Sequence, residues 1–161
     1  MLVSYPEMTE LLRRQKNMLV AGHEDPDGDC LGSLLAVYRA FQGAEKNWRL
    51  LLADEIPDNL RFLPGLEKMI APQDIDIEPE AVLLVDCSDP ARAGDYLPPL
   101  SEGKKLYCID HHISSGIMGD AVILEPEAAA CGEIVAALLQ AAGIEPDAET
   151  ALCLYSAIAA D

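Results

Sequence analysis

The sequence predicts an α/β fold in which a parallel β-sheet is flanked by helices on both faces, over one domain of 161 residues. Two observations lead to this prediction. Short, fully apolar segments alternate with amphipathic ones, which is the order of elements in parallel sheets with right-handed crossovers. The apolar segments also lack the alternation of polar and apolar residues that marks a half-solvated antiparallel strand.

The N-terminal part of the chain begins this alternation. Residues 7–16 are predicted to form an amphipathic helix, and residues 18–22 a buried strand. After the acidic loop 24–29, apolar residues recur at helical spacing up to Gly43, which ends the predicted helix. Residues 48–53 are the second predicted strand.

The rest of the chain repeats the same order. Prolines interrupt residues 57–80, so a helical turn and loops are expected there. The remaining predicted elements are strands at 81–85, 106–109 and 121–124, and helices at 126–143 and 147–161. The strand at 81–85 is the most continuously apolar of these segments.

The composition and charge of the chain limit the kinds of partner that it is expected to bind. The chain has 28 acidic and 11 basic residues and a formal net charge of −17, which argues against a long nucleic-acid partner. Clustered carboxylates can still hold divalent cations, which reverse the local field. The cysteines form no Cys-x-x-Cys pair, as expected of reduced, partly buried thiols. Neither a signal-like N-terminus nor an apolar run of about 20 residues occurs, so a cytoplasmic protein with no membrane partner is expected.

Side chains of the types that often bind metals follow three of the predicted strands. These residues are His23, Asp86 and the triplet Asp110-His111-His112. The carboxyl ends of parallel strands share one edge of a sheet, where ligands bind, so we expect these side chains at one rim. All three histidines of the chain take these positions.

Each of these motifs also has an ordinary structural interpretation. An Asp after a strand is usually a helix cap or a turn residue. Asp27 and Asp29 fit a tight turn, with Asp29 capping the helix that follows, and one member of the His pair could be a core histidine. Their coincidence at one predicted edge favours a metal site, because carboxylates packed closely repel one another unless cations neutralise them.

The donor types indicate which metals this site would bind. Mixed carboxylate and imidazole ligands suit Mn²⁺, Fe²⁺, Co²⁺ or Mg²⁺ better than a structural zinc site, which favours thiolates. The candidate ligands are too many for one ion with an open position, so two ions sharing a carboxylate are predicted. Two metals ~4 Å apart can activate a water and stabilise both oxygens of an in-line displacement at phosphorus. The predicted reaction is hydrolysis of a phosphoester or of pyrophosphate.

Four ordered segments resemble the motifs of the DHH phosphoesterases. They are His23-Glu24-Asp25-Pro26-Asp27-Gly28-Asp29 with Gly32-Ser33, Val85-Asp86-Cys87-Ser88-Asp89, Ile109-Asp110-His111-His112, and Ser156-Ala157-Ile158-Ala159-Ala160-Asp161. The segment from Ala128 to Val135 is similar to the helix that follows the triplet in this family. The first motif resembles that of the nano-RNase and pAp-phosphatase branch, which degrades very short RNA and adenosine 3′,5′-bisphosphate.

The resemblance implies a role for each candidate residue. Two Mn²⁺ ions, with Mg²⁺ or Co²⁺ as alternatives, would share Asp86 as a bridging ligand. The other implied ligands are His23 and Asp27 for one ion, and Asp29, His111 and Asp161 for the second. His112 would contact the scissile phosphate or the leaving group, and Asp110 would orient a histidine.

The resemblance also implies a longer protein. The family's C-terminal domain, with its glycine-rich substrate-binding motif, is absent from these 161 residues. We therefore expect residues 1–161 to be a truncated catalytic domain, poorly active alone, whose substrate is short RNA or a nucleotide phosphate. Two alternatives stay open: a family-II-like inorganic pyrophosphatase, which shares the His-x3-Asp-x-Asp spacing, and a non-catalytic metal- or nucleotide-binding module. The sequence does not set the oligomeric state, for which a homodimer is one candidate.

Overall fold

The computed structural model describes residues 1–43, 45–113 and 118–160. In that part of the chain, the strands of the sheet are β1 (Asn17–Ala21), β2 (Asn47–Leu51), β3 (Met69–Ile70), β4 (Ala81–Val85), β5 (Lys105–Asp110) and β6 (Ala121–Leu124). Their order is β3-β2-β1-β4-β5-β6, and every neighbouring pair is parallel. The predicted parallel α/β fold is confirmed. The strand order reverses between β1 and β4, the switch point where such sheets bind ligands.

Helices cover both faces of the sheet. They are α1 (Tyr5–Arg14), α2 (Gly28–Ala40), α3 (Pro90–Ala93), α4 (Leu97–Ser101), α5 (Cys131–Ala141) and α6 (Ala148–Ala160). Side chains along each strand alternate between the faces and enter two separate apolar clusters. One cluster joins α1, α2, α5 and α6 to the sheet, and the other joins α3 and α4 to it. No helix in the described ranges is long and apolar enough to cross a bilayer.

Several boundaries differ from the predicted ones for local reasons. Helix α1 begins two residues early because Ser4 Oγ accepts from the Glu7 amide at 3.2 Å and the Glu7 carboxylate accepts from the Ser4 amide at 2.7 Å. Helix α5 begins at Cys131 rather than at Pro126, since residues 126–130 form turns. The sequence does not predict β3, α3 or α4, because elements of two to five residues are too short to show a hydrophobic period.

Helices α2 and α6 approach each other closely because glycine lies at their contact. A Cβ added at Gly32 would lie 2.5 Å from the Cys153 carbonyl oxygen and 3.0 Å from the Ala157 amide nitrogen. On α5, a Cβ added at Gly132 would lie 2.7 Å from the Cβ of Ala157. Gly32 therefore lets α6 pack directly against α2, the helix that follows the acidic loop, and Gly132 lets α6 pack against α5.

Gly32→Ala is expected to lower the free energy of unfolding by about 1–3 kcal/mol, because the α6 backbone must move to admit the methyl group. The higher helix propensity of alanine favours the variant by about 1 kcal/mol, and the expected net loss already includes this gain. Denaturant unfolding followed by circular dichroism measures the change. Gly43→Ala is the matched control, since no atom of the described chain lies within 4 Å of a Cβ added there. Equal stability of the two variants would contradict the close contact.

Candidate metal centre

The ends of β1 and β4 place His23 beside two carboxylates. His23 Nε2 lies 3.3 Å from Asp86 Oδ2 and 3.8 Å from Asp27 Oδ1. Asp86 follows β4 directly, and Asp27 lies in the loop between β1 and α2. The three residues expected to hold one metal ion therefore meet at the rim of the sheet.

The other oxygen of Asp86 faces the residues expected to hold the second ion. His111 Nε2 lies 3.5 Å from Asp86 Oδ1 and 3.4 Å from Asp29 Oδ2. Asp161, the remaining predicted ligand, lies outside the described residues. Asp86 is thus common to both groups of residues. Its Oδ2 faces His23 in the first group, and its Oδ1 faces His111 in the second.

The backbone and burial of Asp86 are unusual. Its φ is 59°, a left-handed conformation that is uncommon outside glycine. Its amide donates to the Ile109 carbonyl at 2.8 Å, which extends the pairing of β4 with β5 by one residue. The residue is only 1% exposed, and Oδ1 accepts no hydrogen bond within the described chain. A buried carboxylate with an unsatisfied oxygen fits a position where a cation completes the coordination.

Asp27 has a local structural role as well as its place at the rim. Its Oδ1 accepts from the Cys30 amide at 2.8 Å and caps α2. The side chain is 57% exposed, so this part of the rim is open to solvent. The expected cap of the same helix, Asp29, does not cap it.

Asp29 instead binds the start of a helix that lies far away in sequence. Its Oδ2 accepts from the Cys131 amide at 2.8 Å, and its Oδ1 accepts from the Gly132 amide at 3.0 Å. Ser33 Oγ donates to Oδ1 at 3.0 Å. The N-cap residue of α5, Ala130, makes no side-chain cap. Asp29 therefore satisfies the first amides of α5 and joins α2 to α5 beneath the rim.

Backbone carbonyls determine which nitrogen of two rim histidines meets the carboxylates. Nδ1 of His23 lies 2.6 Å from the Glu24 carbonyl oxygen, and Nδ1 of His111 lies 3.2 Å from that of Ala128. A carbonyl only accepts hydrogen bonds, so Nδ1 carries the proton and the neutral ring offers its lone pair at Nε2. In both residues Nε2 is the atom that faces the carboxylates, as a metal ligand requires.

Asp110 organises the triplet at the end of β5. This residue is fully buried, and its Oδ1 accepts from the amides of His111 at 2.8 Å and His112 at 3.2 Å. Nδ1 of His112 lies 2.7 Å from the same oxygen. The His112 side chain is 41% exposed and that of His111 is 12% exposed. His112 is therefore the more accessible of the two histidines, with its Nδ1 held by Asp110.

Electrostatics at the rim favour positive charge. Burial, followed by the neighbouring charge of Asp86, raises the pKa of Asp29 to about 6. Burial also raises the pKa of Asp86, and hydrogen bonding to Asp86 raises the pKa of His23 to about 12. Each shift favours the protonated form, because close, buried carboxylates are unfavourable without a positive partner. A divalent cation would supply that charge, so the donor set fits one.

The sequence alone does not mark Cys30 as a candidate ligand, but the structure places it beside the rim. Its sulfur, a nitrogen of His23 and an oxygen of Asp86 all lie within 4.8 Å of one another. A second such group joins Asp86, His111 and His112. Its place in the sequence could have indicated this location, because Cys30 directly follows Asp29 in the first turn of a helix that begins at the rim.

Together, the doubly wound parallel sheet and the carboxylate–imidazole rim at its switch point define an α/β protein with a candidate two-metal centre. Residues 17–158 match the family described as DHH family, N-terminal domain. The chain belongs to the DHH family.

Two known proteins show how far the similarity extends. The chain is 36% identical over 145 residues to the bifunctional oligoribonuclease and PAP phosphatase NrnA of Thermus thermophilus, across 88% of this chain and 42% of the relative. It therefore spans about two fifths of the length of this curated relative. Its fold is similar to that of an exopolyphosphatase-related protein from Bacteroides fragilis, with a TM-score of 0.81 and 22% identity over 94% of this chain and 48% of that chain.

Proposed function

We propose that the chain is the metal-binding catalytic domain of a phosphoesterase that hydrolyses short oligoribonucleotides and nucleotide phosphates such as adenosine 3′,5′-bisphosphate. The observation that carries the proposal is the buried Asp86 carboxylate, with His23 near one oxygen and His111 near the other. The name of the T. thermophilus relative supports this substrate class.

The rim residues divide into two proposed ligand sets for Mn²⁺, with Mg²⁺ or Co²⁺ as alternatives. His23, Asp27 and Asp86 would hold one ion, and Asp29, Asp86 and His111 the other, together with Asp161 beyond the described residues. Bound ions would stabilise charge on the phosphate and lower the pKa of a bound water.

Asp110 and His112 would act on the substrate side of this centre. Asp110 fixes the His112 ring through Nδ1, so Nε2 is the nitrogen available to a phosphate oxygen or to the leaving group. A histidine held in this way can bind phosphate or transfer a proton to the leaving oxygen. His112 is therefore the proposed catalytic residue, and Asp110 is the residue that positions it.

The charge of the chain supports a short substrate. A formal net charge of −17 opposes binding along an extended polyanion, which depends on many contacts between phosphates and basic side chains. A short substrate needs only its scissile phosphate at the metals. In our proposal, the further contacts to the nucleotide come from a C-terminal domain of the kind that the DHH resemblance implies.

Turnover of three substrates tests the proposed activity. The 161-residue chain and a version extended to the length of the relative would be assayed with Mn²⁺ on a dinucleotide, adenosine 3′,5′-bisphosphate and pyrophosphate. We expect the extended protein to release mononucleotides from the dinucleotide and orthophosphate from adenosine 3′,5′-bisphosphate. The 161-residue chain should turn over both substrates more slowly by orders of magnitude, because substrate positioning is lost. Hydrolysis of pyrophosphate alone would favour the pyrophosphatase alternative, and no turnover would favour a non-catalytic binding module.

Replacing the two neighbouring histidines separates their proposed roles. His112→Ala is expected to keep the metal content near that of the unmodified protein while lowering kcat by about 10²–10⁴-fold, the usual contribution of proton transfer. His111→Ala is expected to lower both metal content and kcat, since its Nε2 faces two carboxylates. Metal analysis after dialysis and steady-state kinetics measure the two effects. Equal metal loss in the two variants would show that the roles are wrongly assigned.

A further inference from the structure

The sulfur of Cys30 lies directly behind the rim. The residue is 1% exposed, and its amide is held by Asp27 Oδ1 at 2.8 Å, which fixes the first turn of α2 against the acidic loop. A Cβ added at Gly22 would overlap the Cys30 sulfur. The thiol therefore occupies the space beside the backbone that leads into His23.

The geometry of this group is close to that of ligands around one ion. The Cys30 sulfur, a nitrogen of His23 and an oxygen of Asp86 lie within 4.8 Å of one another. At metal–ligand bonds of about 2.0–2.3 Å, ligand atoms of a tetrahedral site lie roughly 3.5 Å apart. Side-chain adjustments of about 1 Å would therefore place all three atoms in one coordination sphere.

The carboxylate of this group is buried between two histidines of the rim. Asp86 is 1% exposed, and its Oδ2 lies 3.3 Å from His23 Nε2. Its other oxygen, Oδ1, accepts no hydrogen bond in the described chain and faces His111 at the other metal position. Among the described residues, no other cysteine belongs to a group of potential metal ligands. Cys30 is thus distinguished from the other buried thiols by what surrounds it.

We infer that Cys30 is a further ligand of the metal position beside His23 and makes this position prefer thiophilic divalent ions, such as Zn²⁺, Co²⁺ and Cd²⁺, over Mg²⁺ and Mn²⁺. Thiolate is a soft ligand that selects such metals, whereas Mg²⁺ and Mn²⁺ favour oxygen. Coordination of the sulfur releases the thiol proton to solvent. The inference rests on the proposed function, since it takes the rim to bind divalent cations.

The two metal positions would then differ in chemistry. The position at His23 would offer sulfur, nitrogen and oxygen donors. The position at His111 would offer nitrogen from His111 and oxygen from Asp29 and Asp86. A thiophilic ion would occupy the first position preferentially when both kinds of metal are present. Cys30 is in this sense a residue that determines metal specificity.

Cobalt binding to the metal-free chain tests the assignment. Co²⁺ bound to a thiolate shows a near-ultraviolet charge-transfer band, whereas Co²⁺ bound by nitrogen and oxygen alone shows only its weaker visible bands. We expect the charge-transfer band in the unmodified chain and in Cys108→Ser, a control at an equally buried thiol on β5. The band should be absent from Cys30→Ser, whose affinity for Cd²⁺ relative to Mn²⁺ should fall at least about tenfold.

Each outcome bears on the inference. Visible cobalt bands without charge transfer in the unmodified chain would show that metal binds and Cys30 does not, which overturns the inference and leaves the metal centre intact. A retained band in Cys30→Ser would also overturn it. If no cobalt binds at all, both the inference and the proposed metal centre fail. X-ray absorption of the Zn²⁺-loaded unmodified chain needs no variant, and we expect one sulfur at about 2.3 Å; a shell of nitrogen and oxygen alone would contradict the inference.

Discussion

Asp86→Asn is expected to remove both metal ions and to lower turnover by orders of magnitude. Each oxygen of Asp86 lies near one histidine of the rim, so loss of its charge weakens both positions. Asparagine keeps the size of the side chain and tolerates the left-handed backbone at this site, so the fold should persist. Metal analysis after dialysis should show a fall from two ions per chain to none.

Thermal unfolding gives an independent measure of the same change. A ligand at about 100 times its Kd stabilises the folded state by about 2.7 kcal/mol, a rise in Tm of about 5–10 °C for a chain of this size. This shift should vanish in Asp86→Asn and persist in Asp89→Asn, where the replaced carboxylate caps α3. Loss of one ion with full retention of the other would contradict a bridging role for Asp86.

Asp29→Ala is expected to destabilise the metal-free chain by about 2–4 kcal/mol. The substitution leaves the buried amides of Cys131 and Gly132 without their acceptor, and each unsatisfied buried donor costs about 1–3 kcal/mol. The substitution also removes the repulsion between the Asp29 and Asp86 carboxylates, which stabilises the variant. The loss of three hydrogen bonds is expected to outweigh the relief of this one unfavourable contact. Denaturant unfolding in the presence of a chelator isolates this effect from metal binding.

Asp27→Ala is the matched comparison for Asp29→Ala. Both residues are proposed metal ligands of the same loop, but Asp27 makes one capping hydrogen bond from a side chain that is 57% exposed. Loss of such a cap costs about 1 kcal/mol. Both variants should bind less metal, and only Asp29→Ala should lower the stability of the metal-free protein strongly. Similar metal-free stabilities would contradict the long-range cap of α5.

The sequence predicts the rim because it depends on topology rather than on side-chain detail. Apolar segments of strand length identify β1, β4 and β5, and parallel pairing brings their carboxyl ends to one edge. The polar residues that follow these segments must then lie together, which is why His23, Asp86 and His111 could be grouped without a structure. Asp110 differs slightly, because it is the last residue of β5 rather than the first after it.

Contacts between distant segments are what the sequence does not predict. Asp29 is expected from its position to cap the helix after it, yet Asp27 takes that role, and Asp29 binds amides 102 and 103 residues away. The start of α5 depends on this contact, so the boundary expected at Pro126 is wrong for the same reason. The location of the Cys30 sulfur likewise depends on how α2 packs against the end of β1.

Anomalous X-ray diffraction from crystals grown with Mn²⁺ tests the central claim, a two-metal centre bridged by Asp86, most directly. We expect two manganese peaks at the carboxyl ends of β1, β4 and β5, ~4 Å apart as in other two-metal sites. One peak should lie beside His23 and Asp27, the other beside Asp29 and His111, and each should contact an oxygen of Asp86. No peak at this rim, or peaks that leave Asp86 uncoordinated, would contradict the claim.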